Sequence, residues 1–141
     1  MPTLFGKEVS DHTYELNKHM LNPPKEPKTA ARKDLETEMR QRFARQFEAT
    51  WALCGGPELE KEFKFCPERG WRSDYRCGQW LIELEGGVFL KSGGGHRSKS
   101  GYIEDVFKYN EASLMGYRLI RIATGMATPH YLSQIIAKLN S

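Results

Sequence analysis

Residues 71–87 read WRSDYRCGQWLIELEGG, and the reading of this stretch decides how the rest of the chain is arranged. Two β-type runs, WRSDYR and QWLIELE, are separated by the turn-prone pair Cys77-Gly78, where glycine tolerates the backbone that a tight turn requires. Alternation along the second run puts Trp80, Ile82 and Leu84 on one face and Leu81, Glu83 and Glu85 on the other. Two carboxylates on one face of an otherwise apolar strand repel each other and lose hydration on burial. A divalent cation offsets both costs, because hard oxygen ligands suit Mg²⁺ and Mn²⁺. Asp74, across the turn, offers a third oxygen ligand. The other reading is a half-wetted sheet with solvated Glu at alternate positions and a solvated Asp74. Spacing alone leaves both open.

The chain of 141 residues fits one domain with a real core. Its 39% hydrophobic and 28% charged residues are those of a soluble globular protein. No apolar run is long enough to span a bilayer, so no membrane partner is expected. MPTLFGKEVS lacks the charged-then-apolar layout of a secretory signal. Cys54, Cys66 and Cys77 are an odd set without Cys-x-x-Cys spacing, which points to reduced thiols in a cytoplasmic setting rather than a disulfide framework or zinc knuckle. The net charge of +3 is modest, but its distribution is informative. Arg69, Arg72, Arg76, Lys91, Arg97 and Lys99, with His96 among them, surround Asp74, Glu83 and Glu85. Cations around a small acidic centre are what binding a nucleic-acid backbone beside a metal requires.

Residues 1–28 read as an arm with a Pro-rich linker, LNPPKEP at 21–27. Within it SDHTYELNKHML favours a short helix capped by Ser10 or Asp11, and the placement of the arm is left open. Residues 29–141 form the expected domain. A helix from about Lys28 to Leu53 carries the stripe Leu35, Met39, Phe43, Phe47 and Trp51, and Gly55-Gly56-Pro57 stops it. Glu60–Cys66 is the first strand, with Phe63 and Phe65 on one face and Glu62 and Lys64 on the other. Beyond the hairpin, KSGGGHRSKSG at 91–101 is a Gly-rich loop, read either as a linker or as a phosphate-gripping flap. Tyr102–Met115 is an amphipathic helix with Ile103, Val106, Phe107 and Leu114 inward, ended by Gly116. Tyr117–Ile122 is a fourth strand, parallel to the third if the helix is a crossover. Thr128 caps a last helix with Pro129 in its first turn and Leu132, Ile135, Ile136 and Leu139 inward.

The segment from Glu58 to Ile122 resembles the PD-(D/E)xK nuclease superfamily, and in particular its compact phage and bacterial endonucleases of the VRR-NUC and Holliday-junction-resolvase-like kind. The resemblance rests on ordered motifs: Asp74; Glu83-Leu84-Glu85; Gly86-Gly87; His96-Arg97; Asp105-Val106-Phe107-Lys108-Tyr109-Asn110; and Gly116-Tyr117 through Arg121. It implies an α/β fold with a restriction-endonuclease-like core, a mixed sheet of about four strands flanked by helices. The superfamily commonly has Lys two residues after the Glu, where this chain has Glu85. Lys64, Lys91 and Lys108 are the candidates to replace it.

The resemblance implies metal-dependent hydrolysis of DNA phosphodiester bonds, with branched or junction DNA as one substrate class and a homodimer if junctions are resolved. Asp74 and Glu83 would hold Mg²⁺ (Mn²⁺ as substitute), with the Leu84 carbonyl as an extra oxygen and Glu62 as a further ligand. Glu85 would orient or deprotonate the attacking water. His96 would contact the scissile phosphate or protonate the leaving oxygen, since its charge changes near neutrality. Arg97, Lys99 and Lys108 would hold the phosphate backbone, with Arg72, Arg76, Lys91 and Tyr109 as further nucleic-acid contacts. Two rivals stand beside this reading: a nuclease-like binding module that no longer cleaves, and an RNA-directed nuclease on the same scaffold.

Overall fold

In chain order the computed structural model runs β1 (Thr3–Leu4), β2 (Lys7–Glu8), α1 (Asp11–Leu21), α2 (Ala30–Leu53), β3 (Glu60–Cys66), β4 (Trp71–Cys77), β5 (Trp80–Glu85), α3 (Lys99–Leu114), β6 (Arg118–Ala123) and α4 (Pro129–Leu139). It describes residues 2–4, 6–21, 27–86 and 99–141. From α2 onward the order is the expected helix–strand–strand–strand–helix–strand–helix.

The hairpin closes one residue later than the turn pair suggests. Cys77 still pairs with Trp80, so the loop is Gly78-Gln79. Gly78 has φ +60, the left-handed backbone that a two-residue hairpin loop demands. The four main strands form one mixed α/β sheet in the order β3-β4-β5-β6. The first two pairings are antiparallel and β5 pairs parallel with β6, with α3 as the crossover. Glu62 has φ 53, the single positive φ outside glycine among the described residues, and the β3–β4 register shifts further along, between Lys64 and Cys66.

Helices cover both faces. Phe43, Phe47 and Trp51 of α2 and Leu132, Ile135 and Ile136 of α4 bury against Tyr75, Ile82 and Ile122. Trp51 Nε1 donates to the Pro57 carbonyl at 2.8 Å, and Gly56 lies against the indole where a side chain would collide with Nε1. That close approach is why glycine stands where α2 turns into β3. The opposite face is a smaller cluster of Phe65, Cys66, Leu81 and Ala112, with Phe63, Trp71, Tyr117 and Leu119 packed around it.

The crossover helix departs from its expected shape. It starts at Lys99, three residues before Tyr102, and Val106 and Leu114, expected inward, are 38% and 81% exposed. Ala112 is buried instead, and Lys108 and Tyr109 lie on the same side at helical spacing. Gly116 closes this helix as expected: its φ is +91, Gly116 N donates to Ser113 O, and Tyr117 N donates to Ala112 O, both at 3.0 Å. Likewise the Leu35 end of the α2 stripe is exposed, because α2 extends past the sheet that buries Phe43 to Trp51.

Ser10 and Thr128 cap their helices as expected, and Thr29, not named from the sequence, caps α2. Thr29 and Thr128 accept from the amides of Arg32 and Tyr131, each at 3.2 Å, and Ser10 accepts from Thr13 N at 3.2 Å. The arm packs on the domain: Leu4 is buried, Lys7 pairs with Glu111 at 2.7 Å, and α1 lies against α3. All three cysteines are free, and no helix of the described residues is long and apolar enough to cross a membrane.

Candidate active site

Glu83 and Glu85 lie on the α3 face of β5, the face that carries Leu81. Continuing the β4–β5 register one step beyond Tyr75↔Ile82 sets Asp74 directly opposite Glu83. Asp74 Oδ2 accepts from Leu84 N at 2.8 Å, which fixes its carboxylate over the central strand. Amide and carbonyl of one strand residue face the same edge, so the Leu84 carbonyl also points towards β4 and Asp74. From above, α3 lowers Lys108 onto the pair, with Nζ 3.0 Å from Glu83 Oε1 and only 18% of the Lys108 side chain exposed. The crossover thus joins an acidic hairpin to a cation 25 residues further along the chain.

Burial decides the electrostatics. Glu83 is 8% exposed, and desolvation first, then the Asp74 charge, push its carboxyl from 4.5 to about 7; Lys108 opposes both. The folded protein therefore retains a proton on Glu83 that the unfolded chain gives up near pH 4.5. Between that value and about 7 the folded state binds more protons, so stability falls as pH rises through this window. The total is up to about 3 kcal/mol. Melting temperatures in EDTA, compared with Glu83→Gln, check this: wild type loses stability relative to the variant as pH climbs from about 5 to about 8. Equal slopes for the two proteins would refute it.

Glu85 is held differently. Arg121 of β6 donates through Nε to Glu85 Oε1 at 2.8 Å, Nη2 lies at 2.8 Å from the same oxygen, and the Tyr109 hydroxyl stands 3.5 Å away. The guanidinium lies 4.9 Å from the centre of the Tyr109 ring, and Lys108 Nζ is 5.7 Å from it.

The remaining sites read from the sequence distribute as follows. Glu62 is exposed on β3 with its carboxylate 4.0 Å from Arg72, which is itself exposed. Arg76 pairs with Glu60 at 3.2 Å, donates to the Gly78 carbonyl at 2.9 Å and packs over Phe63. Lys64 is exposed on β3. Lys91, His96 and Arg97, and the side chain of Lys99, lie outside the described residues. Arg121 entered the sequence reading only as the end of the Gly116–Arg121 motif, with no site role; the available signal is its alternation with Leu119 and Ala123 on one side of strand RLIRIA.

Comparison with family models, with curated proteins and with solved structures finds no match to this chain. The site's own chemistry is therefore the basis for any reading. Among the described residues no group of three or more His, Cys, Asp or Glu side chains is placed to hold a metal ion. A two-carboxylate donor set still suits Mg²⁺, which keeps several waters and takes one or two carboxylates. Asp74 and Glu83 meet that condition, since their mutual repulsion is what a divalent charge relieves.

Proposed function

We propose that Asp74, Glu83 and Lys108 form the hydrolytic centre of a divalent-metal-dependent endonuclease acting on DNA phosphodiester bonds. One observation carries the reading: a buried carboxylate whose charge is opposed by a second carboxylate across the hairpin, with a largely buried lysine 3.0 Å away. Perturbed acids beside a specific charge partner are the usual equipment of catalytic sites. The element order from α2 to β6 supports a restriction-endonuclease-like core, with both acids on the central hairpin and the cation on the crossover helix.

In this reading Asp74 and Glu83, with the Leu84 carbonyl, would hold Mg²⁺. When bound, such an ion would supply Lewis-acid charge to the phosphoryl group and lower the pKa of the attacking water. Lys108 sits where it can hold that water or stabilise charge building on phosphorus, the task of a preorganised donor in a dry site. The water oxygen would form the new bond to phosphorus as the bond to the departing sugar oxygen breaks, the water's proton going to bulk solvent and the leaving oxygen taking one from it, so that one water is added across the P–O bond.

A second reading has its own support. The Lys108–Glu83 and Arg121–Glu85 pairs already balance both β5 carboxylates, an arrangement that also suits a nucleic-acid-binding module without cleavage. Purified protein incubated with labelled four-way junction, duplex DNA, single-stranded DNA and RNA, each with Mg²⁺, Mn²⁺ or EDTA, separates the readings. Metal-dependent cutting of DNA is the expected result. Binding without cutting under every condition would replace it with the binding module, and preferential cutting of RNA with the RNA-directed enzyme. Preference for the junction would call for two centres, and hence a dimer.

A further inference from the structure

We infer that Arg121 is a phosphate-contacting residue of this centre, and that Glu85 and Tyr109 act through it as positioning residues. The inference rests on the phosphodiester reading above and assigns Glu85 a different task from activating water. The parallel register puts Arg121 directly beside Glu83, on the strand next to the acidic hairpin. Its side chain crosses to Glu85, where Nε and Nη2 both meet Oε1 at 2.8 Å. The Tyr109 ring lies 4.9 Å from the guanidinium carbon.

A guanidinium has five N–H donors in one rigid plane. Glu85 engages one edge of that plane and Tyr109 restrains its tilt, so the orientation of the other donors is set in advance. The Arg121 side chain is 47% exposed while Glu85 is only 18% exposed, so the cation is the accessible member of the pair. Arg recognises phosphate through such a pre-aligned fork, with less ordering to be done on binding than a flexible ammonium needs. Lys108 reaches Glu83 from α3 and, like Arg121, lies near the Tyr109 ring centre, at 5.7 Å and 4.9 Å respectively, so two cations stand beside the acidic pair that a phosphate would approach.

The alternative is that Arg121–Glu85 only ties β6 to β5. Binding measurements distinguish the two, because a structural tie does not set the salt dependence of DNA affinity. Duplex and junction oligonucleotides are titrated across a KCl series against Asp74→Asn, alone and combined with Arg121→Ala, Arg121→Lys or Glu85→Gln, with circular dichroism to verify folding. Arg121→Ala is expected to weaken binding about tenfold and to reduce the salt slope by about one, the signature of one lost phosphate contact. Arg121→Lys restores the slope, and Glu85→Gln adds nothing once Arg121 is gone. In the otherwise wild-type chain Glu85→Gln binds Mn²⁺ by calorimetry as the parent does, whereas Glu83→Gln does not.

An unchanged salt slope in Arg121→Ala, with tight binding retained, overturns the inference and leaves the hydrolase reading standing. Loss of Mn²⁺ binding in Glu85→Gln equally overturns it, since Glu85 would then be a metal ligand. A wild-type protein with neither metal-dependent cutting nor salt-dependent DNA binding overturns the parent reading and this inference together.

Discussion

Asp74→Asn is expected to lower metal-dependent DNA cleavage by about 10³-fold or more, roughly 4 kcal/mol of transition-state stabilisation, while leaving the protein folded. Asparagine retains a side-chain oxygen, so the hydrogen bond from Leu84 N at 2.8 Å is preserved and the hairpin keeps its geometry. What is lost is one of the two negative charges facing the cation. Asp74→Ala would lose the same charge and also orphan the Leu84 amide, costing about 1–3 kcal/mol in stability. The asparagine variant is therefore the cleaner test. DNA affinity should be unchanged or tighter, because a negative charge has been removed from the path of the phosphates. Single-turnover cleavage in Mg²⁺ beside fluorescence anisotropy reads both quantities. A rate within tenfold of wild type would remove Asp74, and the site with it, from the mechanism.

The second large effect belongs to Lys108→Met. Lys108 holds the Glu83 carboxyl down against burial and the Asp74 charge. With methionine there, the Glu83 pKa moves above about 7 and the carboxyl is largely protonated at neutral pH. Metal binding requires the deprotonated form, so the acid limb of the Mn²⁺-binding profile should move to higher pH. Loss of the positioned cation adds a direct cost, and the rate at neutral pH should fall by roughly 10²- to 10⁴-fold. Methionine fills much of the same volume, so the helix-to-sheet packing around Ala112 and Leu81 is retained. Raising the pH should recover metal binding but not the full rate. A variant with the wild-type pH profile and rate would show that the Lys108–Glu83 pair is only structural.

How much of this was legible in the chain differs by element. The hairpin, the helix from about Lys28 to Leu53, the Gly116 stop and the Thr128-Pro129 start were readable, because each is written in neighbouring residues through turn, cap and periodicity chemistry. The even–odd alternation of WLIELE placed Glu83 and Glu85 on one face without any tertiary information. Crossover helix α3 was misread for an equally physical reason. Of the residues expected inward, Ile103 and Phe107 are half-buried but Val106 and Leu114 are exposed, while Lys108, Tyr109 and Ala112 face the sheet. A polar stripe is turned inward because the sheet beneath it presents Glu83 and Glu85, and a buried carboxylate needs a cation more than that face needs another leucine.

By itself, then, the sequence determined the α/β element order, the existence of the hairpin that carries the acids, and the shared face of Glu83 and Glu85. These follow from local backbone preferences and the two-residue repeat of a strand. The register that sets Asp74 opposite Glu83 came with the Gly78-Gln79 loop of the structure. Only the tertiary structure decided which cation serves which acid: Lys108 goes to Glu83 across 25 residues and Arg121 to Glu85 across 36. Those pairings depend on the parallel register of β5 with β6 and on the rotation of α3 about its axis. Both are fixed by packing between distant segments, which no local pattern in the chain encodes.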